Sequence, residues 1–222
     1  RKSCFCEMSA DKLILRENSV PTTKKALTRL FASRHRARIV IEAGTHSPWI
    51  SRLLTQLGHE VIVANPRELA IISRSTRKDD RHDARLLARL GQSAPELLQP
   101  VRHRSALAQA DLLHIRARAA LVEARTALVN SARGLAKSAG ERFHACDADQ
   151  FDTRRLTDLD ARLRPQFEPL LRALETLTTQ IKSMNQTLEQ IARDHYPEIA
   201  RLKQIQGVGT LIALTFMLTL DD

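Results

Sequence analysis

Nine apolar residues, Leu163, Phe167, Leu170, Leu174, Leu177, Ile181, Met184, Leu188 and Ile191, follow one another at alternating steps of four and three. Only an α-helix brings such positions to one side, and a stripe kept over that length has to be buried against another helix. Pro165 and Pro169 fall at its start, so the seam is firmest from Leu170 onward. A partner stands earlier in the chain: from about Ser105 to Lys137 there is no Pro, and Leu121, Ala124, Leu128, Ser131 and Leu135 also step by three and four. The seam can close on that helix within one chain or pair two chains, and the spacing does not choose. Gly140–Asp160, acidic and without period, reads as a connector.

The first part of the chain is built differently. Cys4–Met8 and Leu13 onward are short strand-like runs about the polar turn Ser9–Lys12, which predicts a hairpin. Pro21-Thr22-Thr23 begins a helix that carries Ala26, Leu27, Leu30 and Phe31 and ends near Arg36. Arg38–Glu42 and His59–Ala64 are apolar runs too short for helices and read as buried strands. Between them Trp49, Ile50, Leu53, Leu54 and Leu57 have helical spacing, with Gly58 as a stop. Asn65-Pro66 opens a further helix through Ile72, Ser73–Lys78 is a basic connector, and Asp83–Leu90 is a helix expected to end at Gly91. Strand, helix, strand implies an α/β sheet domain with a hairpin edge. An aromatic share of 4% and only 15 Gly and Pro residues argue against an all-β sandwich. At the other end, Gly207-Val208-Gly209 precedes the apolar run Leu211–Leu220 and can begin a helix whose free amides face a phosphate. The expected organisation is 1–92 for the sheet domain, 93–200 for the helical region and 201–222 for the start of another domain.

Charge supplies the first functional hint. Lys and Arg number 35 against 25 Asp and Glu, and the excess is confined to residues 1–140, with 25 basic and 12 acidic side chains. Such a field suits a polyanion, since neutralising phosphates releases counterions and Arg can fork onto phosphate oxygens. No apolar run approaches the ~20 residues that span a bilayer, so a cytoplasmic protein with no membrane partner is expected. Cys4, Cys6 and Cys146 form neither a disulfide framework nor a zinc ribbon; Cys4 and Cys6 are two small side chains on one face of a strand. Arg1 in place of Met, and an apolar stretch running up to Asp221-Asp222, suggest a piece of a longer protein.

The candidate chemistry is carboxylate chemistry. Glu42 ends a strand, where α/β sheets gather functional groups. Asp79, Asp80 and Asp83 stand at a helix start, and both Asp80 with Asp83 and Asp79 with Asp83 share a face. Arg74, Arg77, Lys78, Arg81 and Arg85 surround them as candidate nucleic-acid contacts. Acids on one face suit Mg2+, which takes few hard oxygen ligands and keeps sites for water and phosphate oxygens; two such ions can promote phosphodiester cleavage. A capped, salt-bridged surface helix would carry the same residues. His46 and His82 are surface groups or neighbours of the site.

The run Lys78-x-Asp80-x-x-Asp83-Ala84, with Ile41-Glu42-Ala43-Gly44 closing a strand before it, resembles the DEDD transposases of the insertion-sequence "one-ten" type. Pro21-Thr22-Thr23, Asn65-Pro66, the long helices and Gly207-Val208-Gly209 follow in that family's order. The resemblance implies an RNase H-like (RuvC-type) sheet domain, then long coiled-coil helices, then the start of a helical C-terminal transposase domain. It makes Glu42, Asp80 and Asp83 three of four acidic Mg2+ ligands and selects Asp80 over Asp79. The fourth acid, on a strand before Arg1, and a nucleophilic serine after Asp222 are then missing, so the fragment is expected to be inactive by itself. The implied activity is magnesium-dependent DNA cleavage and strand exchange, guided by an element-encoded RNA, in a homo-oligomer (dimer or tetramer) joined through the coiled coil. A non-catalytic nucleic-acid-binding protein with a degenerate nuclease fold is the alternative, and a coiled-coil dimeriser a third.

Overall fold

The structure, a computed structural model, describes residues 2–67 and 79–220. It divides into two compact units, Arg1–His103 and Arg104–Asp222.

The first unit opens with strand β1 (Lys2–Met8), which pairs antiparallel with β2 (Ile14–Pro21). A bulge between Glu7 and Met8 adjusts the register at the turn, where Lys12 takes a φ of 65°. Thr23 caps α1 (Lys24–Phe31), its hydroxyl accepting from the Ala26 amide. Strand β3 (Arg38–Glu42) and β4 (Glu60–Ala64) are parallel neighbours, joined through α2 (Ser47–Gln56). Gly58 sits at φ 89° where α2 gives way to β4, a backbone state that glycine adopts without a Cβ clash. Buried His59 fastens this corner: its Nδ1 accepts from the Ala37 amide, which leaves Nε2 to donate to the Phe31 carbonyl. Of the stretch expected to be helical through Ile72, only Asn65, Pro66 and Arg67 are among the described residues, with the Asn65 side chain accepting from the Arg67 amide; the Ser73–Lys78 connector lies outside them.

Helix α3 (Asp80–Ser93) runs through Gly91 instead of stopping there. The reason is steric. A Cβ at Gly91 would stand 2.2 Å from Cγ2 of Val40, so glycine is what allows helix and strand to touch, and the Arg38 guanidinium donates to the Gly91 carbonyl at 3.2 Å. Along the hairpin the same helix is anchored twice, by Arg85 on Glu17 and by Gln92 donating to the Ser9 and Ala10 carbonyls. It therefore packs on both β1 and β3, although no ladder joins the two sheets among the described residues. Strand β3 is half-buried where the apolar run predicted full burial, because among the described residues β4 is the one strand paired with it. The unit continues past residue 92: Leu98 is fully buried against Ala64, and the Val101 amide donates to the Val63 carbonyl.

The second unit is an antiparallel helical hairpin with a small cap. Ser105 caps α4 (Ala106–Ser138), and α5 (Arg164–His195) returns along it. The start of α4 meets the end of α5, with Ala108 and Leu112 in one core with Leu188, Ile191 and Ala192. Its end meets the start of α5, with Val129, Ala132 and Ala136 against Phe167, Leu171 and Leu174. Of the α5 seam, Phe167, Leu174, Ile181, Leu188 and Ile191 are buried within the chain, whereas Leu170, Leu177 and Met184 are half-buried and Leu171 and Thr178, one position on, lie deeper. On α4 the buried stripe is not the expected one: Ala132 and Ala136 are inside, while Ala124, Ser131 and Leu135 are exposed. Small residues win the interior because they let Phe167 and Leu171 approach closely.

The segment between the helices is irregular, as its pattern suggested, yet it fills the core. Phe151 is 1% exposed and meets Phe143 edge-on, with the Arg133 guanidinium 5.3 Å from its ring centre. Two short helices, α6 (Ile199–Leu202) and α7 (Thr210–Leu220), complete the unit, with α7 starting after Gly209 as the Gly-Val-Gly pattern implied. Leu214 and Leu218 of α7 join the Ala108 core, while Ile212, Phe216 and Leu220 remain exposed. Buried Asp111 on α4 accepts at one carboxylate oxygen from Tyr196 Oη at 2.9 Å and bonds His195 Nδ1 at 3.0 Å, which ties the end of α5 to α4.

Two stability measurements follow. Gly91→Ala, favourable in an ordinary helix, should cost about 1–3 kcal/mol in urea unfolding through overpacking, and Val40→Ala should recover part of it. Asp111→Ala should cost roughly 2–3 kcal/mol by removing the acceptor two side chains share, and Tyr196→Phe about 1 kcal/mol.

Candidate metal centre and nucleic-acid interface

Glu42 is the last residue of β3, exposed, with the ladder continued beyond it by the Ala43 amide on the Ala64 carbonyl. The turn that follows is locked by buried Ser47, whose hydroxyl accepts from the Gly44 amide and donates to the Gly44 carbonyl, both at 2.8 Å. This fixes where the strand ends and so where Glu42 projects. His46, next to that turn, accepts from Trp49 Nε1.

Asp79, Asp80 and Asp83 separate by role at the start of α3. Asp79 is the cap: its carboxylate accepts from the Arg81 amide at 3.0 Å. Asp80 and Asp83 lie in the first helical turn, three residues apart and exposed. The amide end of the helix favours carboxylates there. Among the described residues, no cation lies within ion-pair distance of Glu42, Asp80 or Asp83, whereas Glu7, Glu17 and Glu60 of the same unit are paired with arginines. Their oxygens are the hard ligands a divalent magnesium ion takes, and among the described residues they are not spent on ion pairs. Among the described residues, however, no three His, Cys, Asp or Glu side chains are grouped closely enough to hold one ion. Glu42 thus stands on one element, and Asp80 with Asp83 on another.

Of the candidate nucleic-acid contacts, Arg74, Arg77 and Lys78 lie outside the described residues. Arg81 is exposed beside the acids. Arg85 is held by both oxygens of Glu17, Nη2 donating to Oε2 at 2.6 Å. That partner, 68 residues away, carried no signal in the sequence beyond its place on a strand. The hydrogen bonds from Arg85 hold the Glu17 carboxyl below the usual carboxylate range. On the same face of the hairpin, burial pushes the Cys6 thiol up, with the Glu17 carboxylate adding to the effect. Cys4 and Cys6 are free, half-buried thiols of one strand face, as expected.

Compared with known proteins, residues 1–140 match the DEDD_Tnp_IS110 family model, a transposase family. The chain belongs to this family of DNA transposases of the insertion-sequence "one-ten" type, the class that its acids at a strand end and a helix start had pointed to. No curated protein matches it. No helix among the described residues is long and apolar enough to cross a membrane.

Glu17 gives a pH signature. A carboxylate with a depressed folded pKa contributes stability above the ordinary Glu range and loses it as pH falls through the folded value. Glu17→Gln should therefore lower the thermal midpoint near pH 7, and the gap to wild type should narrow as pH falls from about 5 to about 3.

Proposed function

We propose that Glu42, Asp80 and Asp83 are ligands of a Mg2+ centre for DNA cleavage and strand exchange in mobile-element transposition. The observation that carries this reading is a set of three exposed carboxylates with no ion-pair partner among the described residues, one at the end of β3 and two on the first turn of α3, inside the residues that match the transposase family. Bound there, magnesium would supply Lewis acidity toward a phosphodiester and its leaving oxygen. The chain's own residues do the positioning. Ser47 and Gly44 set the end of β3, Asp79 frees Asp80 and Asp83 by taking the cap, and Arg81, with Arg74, Arg77 and Lys78, holds the nucleic-acid backbone beside the acids. Arg85 would have to leave Glu17 to join them.

The finer fold reading, an RNase H-like (RuvC-type) domain, draws support from α3. It packs on β1 and β3, each hydrogen-bonded to one strand among the described residues. A strand between them would make one continuous sheet, and that is where the fourth acid would stand. A homo-oligomer, dimer or tetramer, draws support from α4: Ala124, Ser131 and Leu135 of its heptad stripe are exposed and Leu121 is half-buried, while Leu128 packs against the core shared with α5. Coiled-coil pairing of copies would use that stripe. Guidance by an element-encoded RNA fits the basic excess of residues 1–140. The absence of a closed acidic group among the described residues favours the second reading, a nucleic-acid-binding protein with a degenerate nuclease fold.

A recombination assay with the element ends and flanking transcript separates the two. Magnesium-dependent junctions should form with the wild type and fall at least about a hundredfold with Asp80→Asn or Glu42→Gln, a loss of roughly 2.7 kcal/mol or more in transition-state stabilisation, while DNA binding persists. Binding without junctions from an intact wild type would establish the second reading.

A further inference from the structure

The two faces of the hairpin carry different chemistry. Cross-strand partners share a face, so Cys6 and Glu17 lie on the side anchored by Arg85 of α3, and Glu7 and Arg16 on the other. On that second side a shallow open groove of about 720 Å³ runs between β2 and α1. Arg16, Lys25, Arg29 and Arg34 line it, together with Thr23 and Ser33. No carboxylate and no aromatic ring is among its lining residues.

The four cations are not equivalent. Arg34 is committed within the fold, to the Glu7 carboxylate and, through Nε, to the Leu30 carbonyl at 3.0 Å. Arg16, Lys25 and Arg29 are exposed, and no acid of the described residues lies within ion-pair distance of them. The Arg16 guanidinium sits 5.7 Å from the centre of the Phe5 ring, which props it above the strand and leaves its N–H edges to the groove. Lys25 and Arg29 are one helical turn apart, about 6 Å along α1. Glu17, which would have cancelled part of this field, is turned to the other face by the strand's alternation.

We propose that the groove between β2 and α1 binds the phosphodiester backbone of duplex DNA, at a site formed by Arg16, Lys25 and Arg29 and separate from the acidic residues. Three cations without counter-charges among the described residues, flanked by hydroxyls that can donate to phosphate oxygens, are what a polyanion requires. With no ring to stack an unpaired base, the groove suits a duplex backbone rather than a single strand. Such contacts position DNA and carry no sequence preference. The proposal does not depend on a metal centre at Glu42, Asp80 and Asp83.

The test is fluorescence anisotropy of the full chain with two unrelated 30-base-pair duplexes, in EDTA, over a salt series. Arg16→Ala/Lys25→Ala/Arg29→Ala should weaken both duplexes about tenfold or more near 0.1 M salt. It should also reduce the slope of log affinity against log salt by about 2–3, at close to 0.9 for each phosphate that is no longer neutralised. Arg116→Ala/Lys182→Ala/Arg193→Ala, three exposed cations of the second unit, should leave the slope nearly unchanged. Arg29→Glu alone, at an exposed helix position, should give a smaller loss in the same direction and serves if circular dichroism shows the triple variant unfolded. An unchanged slope, a loss confined to one duplex, or a loss seen with a stem-loop RNA but not with DNA would each overturn the assignment.

Discussion

One close approach organises the first unit: α3 lies against β3 at Gly91, where a single added carbon would collide with Val40. Because the helix touches the strand there, Leu87 and Leu90 reach the small core around Ala64 and Leu98. The same helix sends Arg85 and Gln92 to the hairpin. Two sheets with no ladder between them among the described residues are thereby held to one rod. The first turn of that rod carries Asp80 and Asp83, so the geometry of the candidate site depends on a contact some eleven residues away, roughly 16 Å along the helix axis.

The second unit solves a different packing problem with the same economy of volume. A helix the length of α4 could present either of two stripes to α5, one rich in leucine and one rich in alanine. The alanine stripe is inside because Phe151, Phe167 and Leu171 supply the bulk from the other side, and a core holds only so much volume. Of the stripe's leucines, Leu128 still packs against that core, while exposed Leu135 and half-buried Leu121 are those the proposed pairing of copies would use.

Much of this was legible in the sequence. Strand-length apolar runs bounded by Gly and Pro gave β3 and β4 closely, and the turn at Ser9–Lys12 gave the hairpin, because these signals are local. The 4-3 spacing gave α5 and its buried side to within one position, since Leu171 and Thr178 lie deeper than Leu170 and Leu177. What failed was non-local. Gly91 looked like a stop, since nothing near it in the chain announces the Val40 methyl that makes it a contact residue. The inward stripe of α4 is not the one its leucines mark, because side-chain size decides nothing without the partner's volume. The acids stood out by type and spacing, and the family match supports the class, yet the role of Asp79 as a cap and the Glu17 partner of Arg85 arise only in the folded chain.

The bulge between Glu7 and Met8 has an evolutionary consequence. A hairpin assigns its side chains to faces by parity, so adding or deleting one residue in the Ser9–Lys12 turn, without a compensating bulge, would exchange the faces of one strand. Arg16 would then face α3, and Glu17 would carry its negative charge to the side now lined by cations. Length changes in this turn should therefore survive selection mainly in pairs, so that homologous hairpins differ here by even numbers of residues or by a gained or lost bulge.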